Sequence, residues 1–478
     1  MTALEPYREA LLNYIAQNRP FLGICVGMQA LFEGSEESPK ARGLGVFPGR
    51  VCRFDNADKS VPHMGWNSVH IDQQTHTVID GARHYYFVHS YAVPVSEMSN
   101  PTEIFAWTEY GAEKFVSAVR RGNIIATQFH PEKSGSAGLA LLKAFLSSPN
   151  TSVSEKLFPA HHGLTKRVIA CLDVRSNDQG ELVVTKGDQY DVREKDSGHV
   201  RNLGDPVHLA AKYYQLGADE ICFLNITSFR NIPFKDFPMT TMLREVSKRV
   251  FVPLTIGGGI RDIIDPDGTK HFAVDVAGEY FNAGADKVSI GSDAVLAAEA
   301  YYANSKHGDG TSCIEMIAQR YGRQAVVISV DPKRVYVVSP TETSHHCLKA
   351  PYPGPNGESW CWYQCTIKGG RERRDLDVIQ LAVACEALGA GELLVNCMDQ
   401  DGTKLGFDLA LLRDVKDAVK IPVVASSGAG TAQHFVDVYR QCDVEAALAA
   451  GIFHREEVTI QHVKSVMEQA GIRTRIDA

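Results

Sequence analysis

The sequence has no long apolar run, no regular cysteine framework and no excess of basic residues, and each absence removes a class of function. No stretch approaches the roughly 18 to 20 uninterrupted apolar residues that a membrane-spanning helix requires. The 11 cysteines are an odd count, and most of them, such as Cys171, Cys222 and Cys397, sit singly inside apolar, strand-like runs. Cys361 and Cys365 are too far apart for a CxxC pair and no second pair accompanies them, so neither a disulfide framework nor structural zinc is expected. A formal net charge of −8 offers nothing to attract nucleic acid or an anionic membrane surface. The opening residues, MTALEPYREALLNYIAQNRP, carry acidic side chains and no compact apolar core with a cleavage site. They are not read as a signal peptide, and a reducing cytoplasm is the expected compartment.

What is present is a globular composition, 44% hydrophobic and 22% charged, in 478 residues. That length fits two domains if one of them is a barrel of roughly 250 residues. The Ser-, Pro- and Asn-rich stretch around residues 149–164 reads as a linker, separating a first domain, 1–148, from a second, 165–478. In the first domain a helix from Tyr7 to Asn18 leads into the strand PFLGI. Short strands follow in GVFPGRVCRF, YYFVHSYAV, KFVSAVRR and NIIATQFH, before a closing helix, AGLALLKAFLSS.

In the second domain apolar strands alternate with helical stretches, the pattern of a parallel sheet. The strands are RVIACLDV, EICFLNIT, VPLTIGG, KVSIG, AVVISVD, ELLVNCMD, IPVVASS and AALAAG. They fall into two similar halves. GADEICFLNIT, VPLTIGGGI and GADKVSIG are followed in the same order by GAGELLVNCMD, IPVVASSGAG and DVEAALAAG. IACLDV likewise corresponds to VISVDP, each strand ending in an acid. Two four-stranded halves predict one closed (β/α)8 barrel.

Chemistry in such barrels collects at the C-terminal strand ends. The repeat puts Asp173 and Asp331 at equivalent strand ends of opposite halves, where two carboxylates can divide general acid and general base. The glycine-rich ends GGG (257–259) and SSGAG (426–430) lack side chains where a phosphate oxygen would approach backbone N–H groups, and the turn after each can present a helix N-terminus. Two such loops at equivalent positions suggest a ligand with a phosphate at each end. Gly291–Ser292 and Ala450–Gly451 would complete the two pockets.

RVIACLDVR, VVTKGDQYDVRE, GGGIRD, GADKVSIGSDAV, VISVDPKR, DQDGTKLGFD, ASSGAG and AALAAGIFHR together resemble the cyclase domain of imidazole glycerol phosphate synthases, over nearly all of residues 165–478. The resemblance implies a ribulosyl aminoimidazole-carboxamide nucleotide with two phosphates as substrate, together with ammonia. Its products would be imidazole glycerol phosphate and an aminoimidazole carboxamide ribotide. It implies Asp173 and Asp331 as the acid/base pair, with Lys186, Asp401 and Gly402 lining the site. Gly258, Gly259, Gly291 and Ser292 would hold one phosphate, and Ser427, Gly428, Ala450 and Gly451 the other. Asn225, in LNIT, stands where many members of the family carry Asp, and Asn cannot ionise. The strand-start charges Arg167, Glu220, Lys287 and Glu392 match the family's gate of alternating charges at the barrel's bottom opening.

In the first domain, PFLGICVGMQALF places Cys25 on a sharp strand-to-helix turn, with Gly23 and Gly27 allowing close approach. ATQFHPEKSG supplies His130 at a strand end and Glu132 two residues on, completing the nucleophile–base–orienter set of acyl transfer. These motifs resemble class I glutamine amidotransferases, in which a glutaminyl thioester forms on cysteine and ammonia leaves. Members of that class usually carry further strands and a PGVG oxyanion segment ahead of the elbow, and no PGVG occurs here. Without such donors acyl transfer loses on the order of 100-fold or more in rate. The expectation is a glutaminase domain incomplete at its N-terminus, with an ammonia-dependent cyclase as the alternative and a non-catalytic phosphate-ligand binding protein as the more distant one. Glutamine and the phosphorylated nucleotide are the expected partners, in a monomer with an intramolecular domain interface, with no cofactor and no metal.

Overall fold

The computed structural model describes residues 2–71, 78–147, 162–177, 179–185, 202–226, 238–265 and 267–475. The chain divides into two compact units, Lys166–Thr474 and Met1–Thr165, the latter with Arg475–Ala478. Arg475 groups with the first unit, where its guanidinium lies 4.1 Å from the Trp66 ring centroid. The division between the units falls at Thr165–Lys166, and Arg475–Ala478 group with the first. Among the described residues no helix is long and apolar enough to cross a membrane.

In the first unit the central sheet runs Phe21–Ile24, Ile124–Thr127, Glu113–Arg121, Ile104–Tyr110. Only the first pair is parallel. That pairing matters because Cys25 directly follows Phe21–Ile24 and His130 lies just beyond Ile124–Thr127, so two parallel neighbours deliver nucleophile and base to the same sheet end. The strand His63–Ser68, paired antiparallel with His84–His89, was not expected from the sequence. All six of its residues are buried, so the polar–apolar alternation that marks a half-exposed strand is missing. The predicted first helix is shorter than expected: a 3-10 turn, Thr2–Tyr7, precedes the α-helix Arg8–Ala16, and Pro6 sits in that turn.

The second unit is the predicted barrel. Its eight parallel strands are Arg167–Ser176, Glu220–Asn225, Leu254–Gly257, Lys287–Ile290, Val326–Val330, Glu392–Asn396, Val423–Ser426 and Ala446–Ala449. The eighth pairs back onto the first, with Arg167 opposite Ala446, which closes the sheet. Closure removes the edges that an open sheet exposes. Side chains alternate inward and outward along each strand. The inward set Ile169, Cys171, Cys222, Val327, Leu394, Val424, Ala446 and Leu448 forms a small interior cluster, so the barrel is filled at its middle. The fifth strand is followed by an excursion not foreseen from the sequence. It is a four-stranded antiparallel sheet of Lys333–Val337, Cys347–Lys349, Trp360–Ile367 and Glu372–Asp377, returning to the helix Val378–Leu388. Cys361 and Cys365 are buried within it as free thiols.

One buried acid fastens the strand starts. Asp219 accepts the Val168 N–H (2.8 Å) and the Lys464 ammonium (2.6 Å), joining the first strand, the approach to the second and the helix Ile460–Gln469. Breaking a buried pair leaves an uncompensated charge and costs about 3 to 5 kcal/mol. Asp219→Ala should lower the barrel's stability by about that amount in urea unfolding; a loss under about 1 kcal/mol would show that water replaces the carboxylate there.

Candidate active sites

Cys25 has φ +50° and ψ −107°, a strained conformation for a residue with a side chain, and it sits between strand and helix as an elbow. Its N–H bonds to the Thr127 carbonyl of the parallel neighbour (2.7 Å), which fixes the turn against the second strand. Gly23 is the glycine this geometry requires: a Cβ there would stand 3.0 Å from the Gly27 backbone and 3.1 Å from Ala126. Gly27 itself faces open space, so the crowding expected at both glycines is at Gly23 alone. The helix after Cys25 is only one turn, Val26–Gln29, and its dipole contributes less than a full helix would.

His130 Nδ1 lies 2.7 Å from Glu132 Oε1, which orients the imidazole. Burial would lower the imidazole pKa, but its bonds to Cys25 and Glu132 outweigh that and push it up to about 10. Burial likewise acts to raise Glu132, and the His130 bond overrides it, holding the carboxyl below its ordinary value. The three side chains expected together are together, with His130 held between Cys25 and Glu132. Sequence reasoning missed a fourth and a fifth. Gln128 Nε2 approaches Cys25 Sγ at 3.5 Å, and its Oε1 accepts from Gln29 Nε2 at 3.0 Å. Both amides are buried; Gln128 stands two residues before His130, and Gln29 about one helical turn after Cys25, a spacing that could have flagged them.

Arg167, Glu220, Lys287 and Glu392 open the first, second, fourth and sixth barrel strands, and all four are buried. They form a closed ring. Arg167 reaches Glu220 at 2.7 Å and Glu392 at 2.5 Å, and Lys287 reaches the same two acids at 2.7 and 2.6 Å. Burial acts to raise Glu392, but Arg167 and Lys287 outweigh it and hold the carboxyl below its ordinary value. Thr255 Oγ1 adds a 2.6 Å bond to Glu220. The ring is as the strand-start pattern suggested, and Thr255 is the member that carries no charge to announce it.

At the other end, Asp173 lies in the first strand and Asp331 directly follows the fifth of the eight, opposite positions of the barrel. Burial raises the Asp331 carboxyl; a hydrogen bond from Asn396 opposes the rise, and the charge of Asp401 adds to it. Asp401 is therefore near enough for its charge to act on Asp331. Lys186 lies outside the described residues.

Gly258 and Gly428 both need to be glycine. Their φ values are +91° and +90°, and a Cβ would stand 2.3 Å from the Asn225 carbonyl oxygen in one case and 2.1 Å from that of Gly406 in the other. Gly259 (+83°), Gly402 (+75°) and the non-glycine Ser427 (+73°) share the left-handed region. The helix N-termini are not symmetrical. The 426–430 turn leads straight into Ala432–Cys442, whereas the 257–259 turn leads into a small hairpin, Ile263–Ile264 with Lys270–His271, before its helix begins at Ala273. The Gly268 N–H bonds to the Asp265 carbonyl at 2.8 Å within that hairpin, which the glycine pattern did not reveal. Gly291 caps a 12-residue helix from Ser292, while Ala450 caps only the four residues Gly451–His454.

A cysteine–histidine–glutamate elbow joined to a barrel with paired strand-end acids defines a glutamine-dependent synthase of two domains. Residues 3–148 match the family model for class-I glutamine amidotransferases, and residues 167–459 match that for histidine biosynthesis proteins. Proteins named imidazole glycerol phosphate synthase hisHF are similar over nearly the whole chain. The one from Schizosaccharomyces pombe is 59% identical over 475 residues, covering 97% of this chain and 88% of that protein. The Emericella nidulans protein is 56% identical, covering 99% and 88%, and the chloroplastic one of Arabidopsis thaliana 54%, covering 98% and 79%. The chain belongs to the fused imidazole glycerol phosphate synthase family. It is a bifunctional enzyme of histidine biosynthesis, carrying glutaminase and cyclase domains in one chain.

The raised His130 value gives a direct test. Glu132→Gln removes one of the two partners that favour imidazolium, so His130 should titrate at lower pH, followed by its imidazole resonances in NMR. A group whose folded pKa is raised contributes stability below its ordinary value, near 6.5, and loses it as pH rises through the folded one, about 10 here. In the variant that loss should begin at lower pH. An unshifted titration would remove Glu132 from the site.

Proposed function

We propose that Cys25 thiolate attacks the side-chain carboxamide carbon of glutamine, and that His130 imidazolium gives its proton to the departing ammonia. Water then hydrolyses the thioester, releasing glutamate, with His130 as base and Glu132 holding the ring. The ammonia travels through the barrel interior, past the ring of Arg167, Glu220, Lys287 and Glu392. At the mouth it meets a ribulosyl aminoimidazole-carboxamide nucleotide whose phosphates lie on the Gly258–Gly259 and Gly291–Ser292 segments and on the Ser427–Gly428 and Ala450–Gly451 segments. Asp173 and Asp331 divide the proton transfers of ring formation and cleavage, with Lys186, Asp401 and Gly402 lining the site. Imidazole glycerol phosphate and aminoimidazole carboxamide ribotide leave. The reading includes a monomer in the cytoplasm.

The observation that carries this reading is the pair of acids on opposite strands of the barrel, one of them half-buried with its carboxyl raised, as an acid needs to be. Product formation compared with glutamine and with ammonium chloride tests it. Cys25→Ala should abolish the glutamine route and spare the ammonium route, whereas Asp173→Asn should abolish both. Equal loss of both routes in Cys25→Ala would overturn the division of labour. Ammonium turnover without any glutamine turnover in the wild-type chain would favour an ammonia-dependent cyclase.

The ring has its own test. Lys287→Met should leave ammonium-dependent turnover in place but release glutamate in excess of imidazole glycerol phosphate, because ammonia no longer passes efficiently. Glutamate and product in equal amounts would take the ring out of the route.

A further inference from the structure

The half-barrel repeat is broken at one position beside the paired acids. In the first half, Asp173 is the register partner of Leu224. In the second, the register that pairs Val330 with Val395 continues so that Asp331 falls opposite Asn396. One carboxylate is therefore flanked by an apolar side chain and the other by an amide. Both ends of that amide are used. Asn396 Nδ2 donates to Asp331 Oδ1 at 2.9 Å, and its oxygen accepts from Ser427 Oγ at 2.5 Å and Ser426 Oγ at 3.2 Å. An ionised carboxylate can only accept, so the NH2 must face Asp331 and the serine hydroxyls must donate to the amide oxygen. The amide thus has one orientation, set from both sides.

We propose that Asn396 is a positioning residue for the cyclase reaction, fixing the Asp331 carboxyl and tying it to the Ser427–Gly428 turn. The inference rests on the reading of Asp331 as an acid/base group and of that turn as a phosphate seat. With Oδ1 engaged as an acceptor, a proton carried by Asp331 resides on Oδ2. The same amide makes the carboxyl sense the turn, because movement of Ser427 on binding phosphate shifts the oxygen end of Asn396 and with it the donor on Asp331. Other groups face Asp331 as well. Asp401 bears on it electrostatically, the Cys365 thiol lies within its influence, and Thr366 Oγ1 donates to its main-chain carbonyl at 2.7 Å. None of these joins it to the seventh strand. The Leu224 side chain, at the matching register position beside Asp173, has neither donor nor acceptor.

The test is steady-state cyclase kinetics on the full chain with ammonium chloride as nitrogen donor, which bypasses the glutaminase. Asn396→Leu copies the first-half residue, so the strand can hold its shape. It should lose about tenfold in kcat, a part of what a general acid contributes, and raise KM for the nucleotide. The pH limb that reports Asp331 should move to higher pH, since the bond favouring the ionised form is gone while burial and Asp401 remain. Asn396→Thr keeps a hydroxyl donor and should return the limb toward its wild-type position. A purely structural role would lower kcat and melting temperature in both variants without moving the limb, and that result overturns the proposal. So does an unchanged kcat in Asn396→Leu. Asp331→Asn is the control: full turnover there would sink the acid/base reading itself, whereas a dead Asp331→Asn beside an unaffected Asn396→Leu would sink only the positioning role.

Discussion

The ring of Arg167, Glu220, Lys287 and Glu392 is the constraint on which the barrel is organised. Four ionised groups with almost no exposure are costly to take out of water, by several kcal/mol each. They are tolerable together because each cation contacts both acids and each acid spends one oxygen on each cation. The ring is neutral overall, and no single member can be removed without stranding a charge. It also sets register. Four strand starts must reach the same plane, and only one stagger of the closed sheet brings residues 167, 220, 287 and 392 there while pairing Arg167 with Ala446.

What lies along the strands from the ring follows from the same stagger. Each strand alternates, so the residues two positions on point into the same interior: Ile169, Cys222 and Leu394 among them. They make a largely apolar band between the charged base and the acidic mouth. Ser289, two residues after Lys287, is a polar exception, and among the described residues its hydroxyl is buried and has no hydrogen-bond partner. A band of this kind disfavours an ammonium ion, which would lose its hydration, far more than neutral ammonia. It also dries the approach to Asp331, and burial is the largest cause of that carboxyl's raised pKa.

These features were unequally legible in the sequence. The eight strands were readable because apolar runs recur in two matching halves, and the ring because charges at strand starts interrupt those runs. The paired acids and the crowded glycines came from the repeat as well. The sheet between Lys333 and Asp377 did not, because it has no counterpart in the first half and the repeat says nothing about it. The strand His63–Ser68 was hidden by complete burial. Gln29, Gln128 and Asn396 were hidden for another reason: uncharged amides leave no signature in charge patterning, and their worth lies in what each end touches across 99 residues of chain, as from Gln29 to Gln128, or across neighbouring strands.

The repeat is therefore most informative where it fails. Duplicated halves place two carboxyls at equivalent positions, and equivalence by itself would give them equal proton affinities, which is the wrong arrangement for a reaction that needs one acid and one base. Local departures have to supply the difference. On the second half these are burial, the Asn396 amide and the charge of Asp401. On the first half the partner is Leu224. The two glycine turns depart in the same sense, since the second half runs directly into a helix after residue 430 and the first does not. A ligand with two similar ends would then meet two unlike seats, and the chemistry acquires a direction that the fold alone, being nearly two-fold, could not give it.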